Sequence, residues 1–347
     1  MMFPMVRVRT KDTKYSPNPV LWPLAEYYID PEAYKHWEND PLEFKEIIKN
    51  YLIDHVNKSV EPFVGSLPFL KFSFPKNMHE KQKHLVRFSR NLEEFLDTRK
   101  IARVIIWNIK GFKGDLVPLT NKEMIRRTGK ISFGGGFEIG LGYQRVEQAL
   151  TTLSHEIGHT YFYDLSKDPP ECLVSNSILK IDKWQREFEG MAFDIGRGVI
   201  LPRKSFTEYV FRRYRYPSIK SFLEMHSKLK VSKALLSQRL IKDLRIWKAC
   251  IFWGKISAKD IVFLRERIKG PHILVKKRDK KKSFRSINIK AELANHNSEL
   301  RKVILKHSSE EEKKECEIKI SRRTYKFDMK SGILSQDEKW FIALLYQ

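Results

Sequence analysis

The sequence predicts a mixed α+β protein in which a small sheet packs against helices. Three observations carry this expectation. A short β-branched run, ARVIIWNI, begins at Ile101. A glycine-interrupted apolar stretch, GKISFGGGFEIGLGY, follows and ends at Tyr143. Two longer segments, 144–164 and 184–202, then switch to helical spacing of their apolar residues. With 347 residues, 41% of them apolar, the chain is long enough for two or three domains with real cores.

Taken in order, residues 16–37 hold too many large apolar groups for a disordered arm, and predict an ordered wrapping segment. Asp40-Pro41 opens a helix in which Phe44, Ile47, Ile48, Tyr51, Leu52 and Val56 line one face. The spacing of Leu85, Phe88, Leu92 and Phe95 predicts a second amphipathic helix over 78–96. After the strand at Ile101, Thr120-Asn121-Lys122-Glu123 forms a capping box. Gly134, Gly135 and Gly136 predict a hairpin turn between two strands. No GK[ST] follows them, so a phosphate loop is disfavoured.

Farther on, 218–229 predicts an amphipathic helix and Ser232 the cap of another, joined by a tight turn at Lys230-Val231-Ser232. Such a pair is either a helix-turn-helix or a buttress. A further helix is expected over 257–269, broken by Gly270-Pro271. Residues 276–282, KKRDKKK, are either a solvated loop or a phosphate-contacting patch. The remainder runs into alternating strands, consistent with a small terminal domain.

The formal net charge is +24. It favours contact with nucleic acid or an acidic partner and is silent about fold. Cys172, Cys250 and Cys316 are scattered, with no disulfide framework and no CxxC pair, as in a reducing compartment. The opening MMFPMVRVRTKD lacks the apolar core of a signal peptide, and no run of about 18 apolar residues marks a membrane span. The expectation is a cytoplasmic protein that does not enter membranes.

The segment QRVEQALTTLSHEIGHTYFYD carries the chemistry. Residues four apart on a helix share a face, so His155 and His159 can hold one metal ion between them. Glu156 lies beside them, suited to take a proton from water activated by that ion. His79 and His84 are five apart and do not share a helix face, so they are expected at the surface. A catalytic site needs a third protein ligand. In WQREFEGMAFDIGRGVILP, Glu189 sits on or beside a face made by Ala192, Ile195, Gly196 and Val199, with Pro202 closing the helix. The small Ala192 and Gly196 would let another helix approach closely. Glu187 and Asp194 compete with Glu189 for the ligand position.

HEIGH, then about thirty residues, then ExxA and a closing Val199-Ile200-Leu201-Pro202, resembles the ImmA/IrrE family of metallopeptidases. Val231-Ser232, with Ala234 through Arg239-Leu240, is similar to a further helix of that family. The resemblance spans roughly 101–247. It implies a zincin-like domain with Glu189 as third ligand. It also implies an activity: hydrolysis of a peptide bond in a specific protein, commonly a DNA-bound helix-turn-helix repressor, during stress response or mobile-element induction. In zincin-like folds the strand before the active helix is an edge that holds extended substrate, and 137–143 is expected to be that strand. The family's asparagine falls on Phe193 here, which removes an expected orienting hydrogen bond to a ligand histidine.

The expected organisation is a helical extension over 1–95, a metallopeptidase core over 96–215, a helix-turn-helix-like segment over 216–255 and a basic domain over 256–347. Zinc is the expected metal, with manganese also suited to the ligand set. Tyr161, Tyr163 and His226 are candidate donors to an oxyanion. Two other readings compete with the specific peptidase. One is a basic nucleic-acid-binding regulator with a structural or inactive metal site. The other is a general peptidase.

Overall fold

The computed structural model describes residues 18–30, 41–72, 74–129, 134–247, 249–257, 262–268, 298–307, 312–320, 323–335 and 338–346. It is a mixed α+β structure that divides into two compact units. The first comprises 1–65, 69–144 and 152–202, and the second 66–68, 145–151 and 203–347. No helix among the described residues is long and apolar enough to cross a membrane.

In the first unit, α1 (Leu21–Tyr28) buries Leu21, Leu24 and Ala25. Helix α2 (Pro41–Val60) buries Phe44, Ile48, Leu52 and Val56, while Tyr51 turns to solvent. The helix expected over 78–96 is shorter. Its first half is instead β1 (Lys83–Leu85), and only α3 (Arg90–Thr98) is helical, after Ser89 in extended conformation. The strand wins because β2 (Ile101–Trp107) offers it an antiparallel partner, Lys83 opposite Trp107. Leu85, expected inward, is exposed.

Strand β3 (Gly114–Leu119) leads into α4 (Asn121–Thr128), whose Thr120–Glu123 capping box is formed as expected. Strand β4 (Gly136–Gly142) comes next and is buried along its whole length. The four strands run in the order β1-β2-β4-β3. One expectation is corrected here, and another falls partly outside the described residues. The antiparallel partner of β4 is β3, from before α4. The first strand of the hairpin expected at Gly134 would fall at 130–133, outside the described residues. Nor is β4 an edge strand. It pairs with β2 on one side and β3 on the other, so β3 is the edge on that side and β1 the edge on the other. Glycine explains the close neighbours: a Cβ at Gly140 would overlap the Asp115 carboxylate, and one at Gly142 the backbone of Phe112.

Helix α5 (Val146–His159) carries the HExxH residues. A two-stranded ribbon, β5 (Tyr163–Asp164) and β6 (Glu171–Cys172), follows. A single turn, α6 (Asn176–Leu179), then precedes α7 (Asp182–Ile200).

The long final stretch of the second unit begins with α8 (Arg203–Arg213). Helix α9 (Ile219–Leu229) is capped by Ser218, and α10 (Lys233–Ser237) by Ser232. Lys230 between them is left-handed, as the tight turn requires, and α10 widens into a π-helical turn, Gln238–Asp243. Strands β7 (Ala249–Ser257) and β8 (Val262–Ile268) pair antiparallel, and β8 lies within the 257–269 stretch where a helix was expected. Apolar residues in VFLRERI suit either period, and pairing with β7 decides for the strand. Helix α11 (Glu299–His307) then packs with β9 (Glu312–Ile320), β10 (Arg323–Ser335) and β11 (Glu338–Tyr346). The antiparallel sheet runs β8-β7-β11-β10-β9. Phe252, Leu300, Ile304, Phe327 and Phe341 form its core. The basic run 276–282 lies outside the described residues.

Candidate metal centre

Two glycines bring α5 and α7 into contact. A Cβ at Gly158 would overlap the backbone of Ala192, and one at Gly196 the backbone of Ser154. Backbone against backbone, the helices approach more closely than any side chain would allow. Ala192 and Gly196 thus do what their small size predicts. The close approach lets Glu189, from the middle of α7, reach the two histidines of α5.

Three donor atoms converge there. His155 Nε2 lies 2.9 Å from Glu189 Oε2. The two Nε2 atoms lie 3.0 Å apart, and His159 Nε2 lies 3.5 Å from the same carboxylate oxygen. A tetrahedral ion with bonds of about 2.0–2.1 Å needs ligand atoms about 3.3–3.4 Å apart. The observed separations fit that triangle after small adjustments, and His155, His159 and Glu189 form a group that could hold a metal ion. The charge states agree. Burial holds His159 below its ordinary pKa, favouring the neutral imidazole that binds metals. Hydrogen bonds from both imidazoles hold the Glu189 carboxyl low and ionised. The histidines are buried, whereas the Glu189 side chain is 43% exposed, so the group opens to solvent on the Glu189 side.

Glu156 is buried beside this group. Burial first, then the charges of Glu189 and Asp115, push its carboxyl up to about 8. Asp115 belongs to β3, and burial raises its carboxyl as well. The start of β3 runs close over α5: a Cβ at Gly114 would overlap Thr152 and lie 3.2 Å from Glu156 Oε1. The edge strand therefore passes Glu156 directly, a relation that spacing in the sequence does not reveal.

The competing carboxylates are engaged elsewhere. Glu187 accepts from Asn18 and pairs with Lys45. Asp194 pairs with Arg197 and with Lys49 of α2. Of the oxyanion candidates, Tyr161 is fully buried, its hydroxyl 3.0 Å from Ser59 Oγ and its ring under the Arg99 guanidinium. Tyr163 is half-buried. Burial, Cys172 and Glu156 push its phenol up to about 12. His226 lies on α9 in the second unit, where burial and Lys233 lower its pKa.

Aromatic rings flank both imidazoles. Phe193 lies over His155 with 3.8 Å between centroids, and Phe188 over His159 at 4.8 Å. Among the described residues, His155 Nδ1 is buried and has no hydrogen-bond partner.

No protein-family model matches the chain, and no curated protein matches it. Among solved structures, a Mycobacterium tuberculosis transcriptional regulator is similar at a TM-score of 0.41 and 11% identity, over 95% of this chain and 81% of that chain. Likeness at that level does not establish a shared fold.

Proposed function

We propose that this chain is a metal-dependent endopeptidase that hydrolyses a peptide bond in a specific protein. The observation that carries the reading is the convergence of three donor atoms from two helices, with Glu156 buried beside them. His155, His159 and Glu189 would hold the metal. Zinc is the default for this donor set, and manganese suits it too. When bound, such an ion polarises a carbonyl and makes water acidic enough to ionise near neutral pH.

The chain's own residues supply the rest. Glu156 takes the proton of the attacking water and returns it to the leaving amine. Only the ionised carboxylate can accept that proton, and a bound dication beside Glu156 would favour the ionised form against the burial and neighbouring charges that raise it to about 8 in the metal-free group. Tyr163, near Glu156 and protonated at all ordinary pH values, donates to the developing oxyanion. The outer edge of β3 offers backbone groups to an extended substrate by strand addition, next to Glu156. The resemblance of HEIGH and the following ExxA block to ImmA/IrrE peptidases supports the substrate class, a DNA-binding helix-turn-helix repressor. The test is incubation of the zinc-loaded chain with candidate repressors beside Glu156→Gln. Specific cleavage that the variant lacks supports the reading, and intact repressors throughout would overturn it.

The net charge of +24 favours a second reading. In it the chain is a nucleic-acid-binding regulator whose metal group is structural. It predicts salt-dependent DNA binding that survives Glu156→Gln, with no proteolysis by either protein.

A further inference from the structure

Helix α8 and the turn after it combine basic charge with exposed aromatic rings. Residues 203–220 contain Arg203, Lys204, Arg212, Arg213, Arg215 and Lys220 against a single acid, Glu208. Glu208 reaches Arg212 at 3.6 Å, an exposed pair of little strength. Phe206 and Val210 face inward and hold the helix. At its end the pattern reverses, and Phe211 is 52% and Tyr216 77% exposed. Arg212, Arg213 and Arg215, between those two rings, are exposed as well.

This exposure is built into a fixed turn. Tyr214 is buried, and its backbone N–H donates to Val210 O at 2.6 Å. Trp247, also buried, donates from its indole nitrogen to Tyr214 O at 3.1 Å. Lys228 donates to the Tyr214 hydroxyl at 3.2 Å. With Tyr214 pinned from three directions, its neighbours Arg213 and Arg215 turn outward. Arg213 lies 5.6 Å from the Tyr209 ring, and Arg215 lies 5.9 Å from the Tyr216 ring.

A charged surface alone is ordinarily a solvated face. Here the charge comes with two rings, Phe211 and Tyr216, that are the most exposed large aromatic side chains among the described residues and that flank the three arginines. Arginine neutralises phosphates, and an exposed ring stacks on any unpaired base. We infer that Phe211, Arg212, Arg213, Arg215 and Tyr216 form a platform for single-stranded nucleic acid. Duplex is a poorer occupant, since its bases are already stacked and offer these rings no face. An acidic peptide matches the arginines but gives the two rings no comparable partner. The platform stands on its own observations and does not require the chain to be a peptidase.

The test is fluorescence anisotropy of the full chain with a labelled mixed-sequence strand of about 20 nucleotides, longer than one stacking platform needs. The same strand as a duplex, and polyglutamate, serve as comparisons. Single strand should bind more tightly than either. Replacing Arg212, Arg213 and Arg215 together by alanine should flatten the salt dependence of log K by about 2, as three lost phosphate contacts imply. Phe211→Ala with Tyr216→Ala should weaken binding about tenfold or more at unchanged salt slope. All five side chains are exposed, and circular dichroism checks that both variants fold. Variants that bind single strand like the wild type, or equal binding of duplex or polyglutamate, would overturn the inference.

Discussion

His155 and Phe193 lie ring over ring, with 3.8 Å between centroids and 30° between planes. A stacked phenyl limits how the imidazole tilts, yet it gives no fixed direction to the ring's second nitrogen. Metal-binding histidines ordinarily donate that second N–H to an oxygen acceptor, and such partners are worth about 10–100-fold in metal affinity. Here Nδ1 is buried without one among the described residues. Phe193→Asn should therefore bind zinc about tenfold more tightly, measured by competition with a chromogenic chelator. Unchanged or weaker binding would show that the stacked ring already fixes His155.

Ligand identity is tested by metal content. Wild type should retain about one zinc per chain after reconstitution, as one three-ligand site requires. His155→Ala and Glu189→Ala should lose it. Glu187→Gln and Asp194→Asn should keep it, because those carboxylates already answer Lys45, Lys49 and Arg197. Metal retained in Glu189→Ala, with loss in Glu187→Gln, would move the third ligand.

The glycines between α5 and α7 are tested by adding one methyl group. Gly158→Ala forces a Cβ into the backbone of Ala192, which cannot give way as a flexible side chain would. The helices must separate, and the cost is about 1–3 kcal/mol of stability. Zinc affinity should fall with it, since Glu189 reaches the histidines only at close approach. Gly190→Ala is the control, for a Cβ at Gly190 meets nothing within 4 Å. Thermal unfolding with and without zinc separates the two effects. Equal behaviour of the two variants would remove the close-approach account.

Much of this centre was legible in the sequence because helical geometry is local. The i, i+4 histidines, the small face of α7 and the closing Pro202 each follow from spacing alone. Glu189 could not be separated from Glu187 and Asp194 that way. What separates them is where Lys45 and Lys49 of α2 stand, a tertiary fact. The same holds for the strands. Residues 83–85 and 262–268 have apolar spacing that suits a helix, and each is a strand because a partner strand lies beside it. The edge position of β3 was hidden for the same reason. Sheet order depends on which strands meet, and the 114–119 segment has little β-branched character to announce itself.

If the peptidase reading holds, Tyr163→Phe tests the oxyanion donor. The phenol, pushed up to about 12 mainly by burial, keeps its proton and can donate it across the working range. Its removal should lower kcat about 100-fold with little change in KM, the loss typical of one donor made stronger in the transition state. Tyr161→Phe, which removes a hydroxyl bound to Ser59, should change stability and leave kcat alone. A rise in KM at constant kcat for Tyr163→Phe would make that residue a substrate contact instead.

Asp194 provides a prediction that is independent of any activity. It joins α7 to α2 through Lys49 and pairs with Arg197 one turn along its own helix, all three side chains being mostly buried. Burial alone would raise its pKa. The two cations outweigh that and hold it below the ordinary 3.8. A carboxyl whose folded pKa lies below its unfolded value stabilises the fold above the unfolded value. That contribution fades as pH falls from about 4 through the folded value, when the unfolded chain takes up the proton first. Asp194→Asn should accordingly lose about 3 kcal/mol at pH 7, since Arg197 and Lys49 are left without their counter-charge. The gap between wild type and variant should narrow as pH drops below 4. Urea unfolding at several pH values from 7 to 3, monitored by tryptophan fluorescence, measures that gap directly. A gap that stays constant over the whole range would mean that Asp194 acts through packing, with its charge contributing nothing to the junction of α2 and α7.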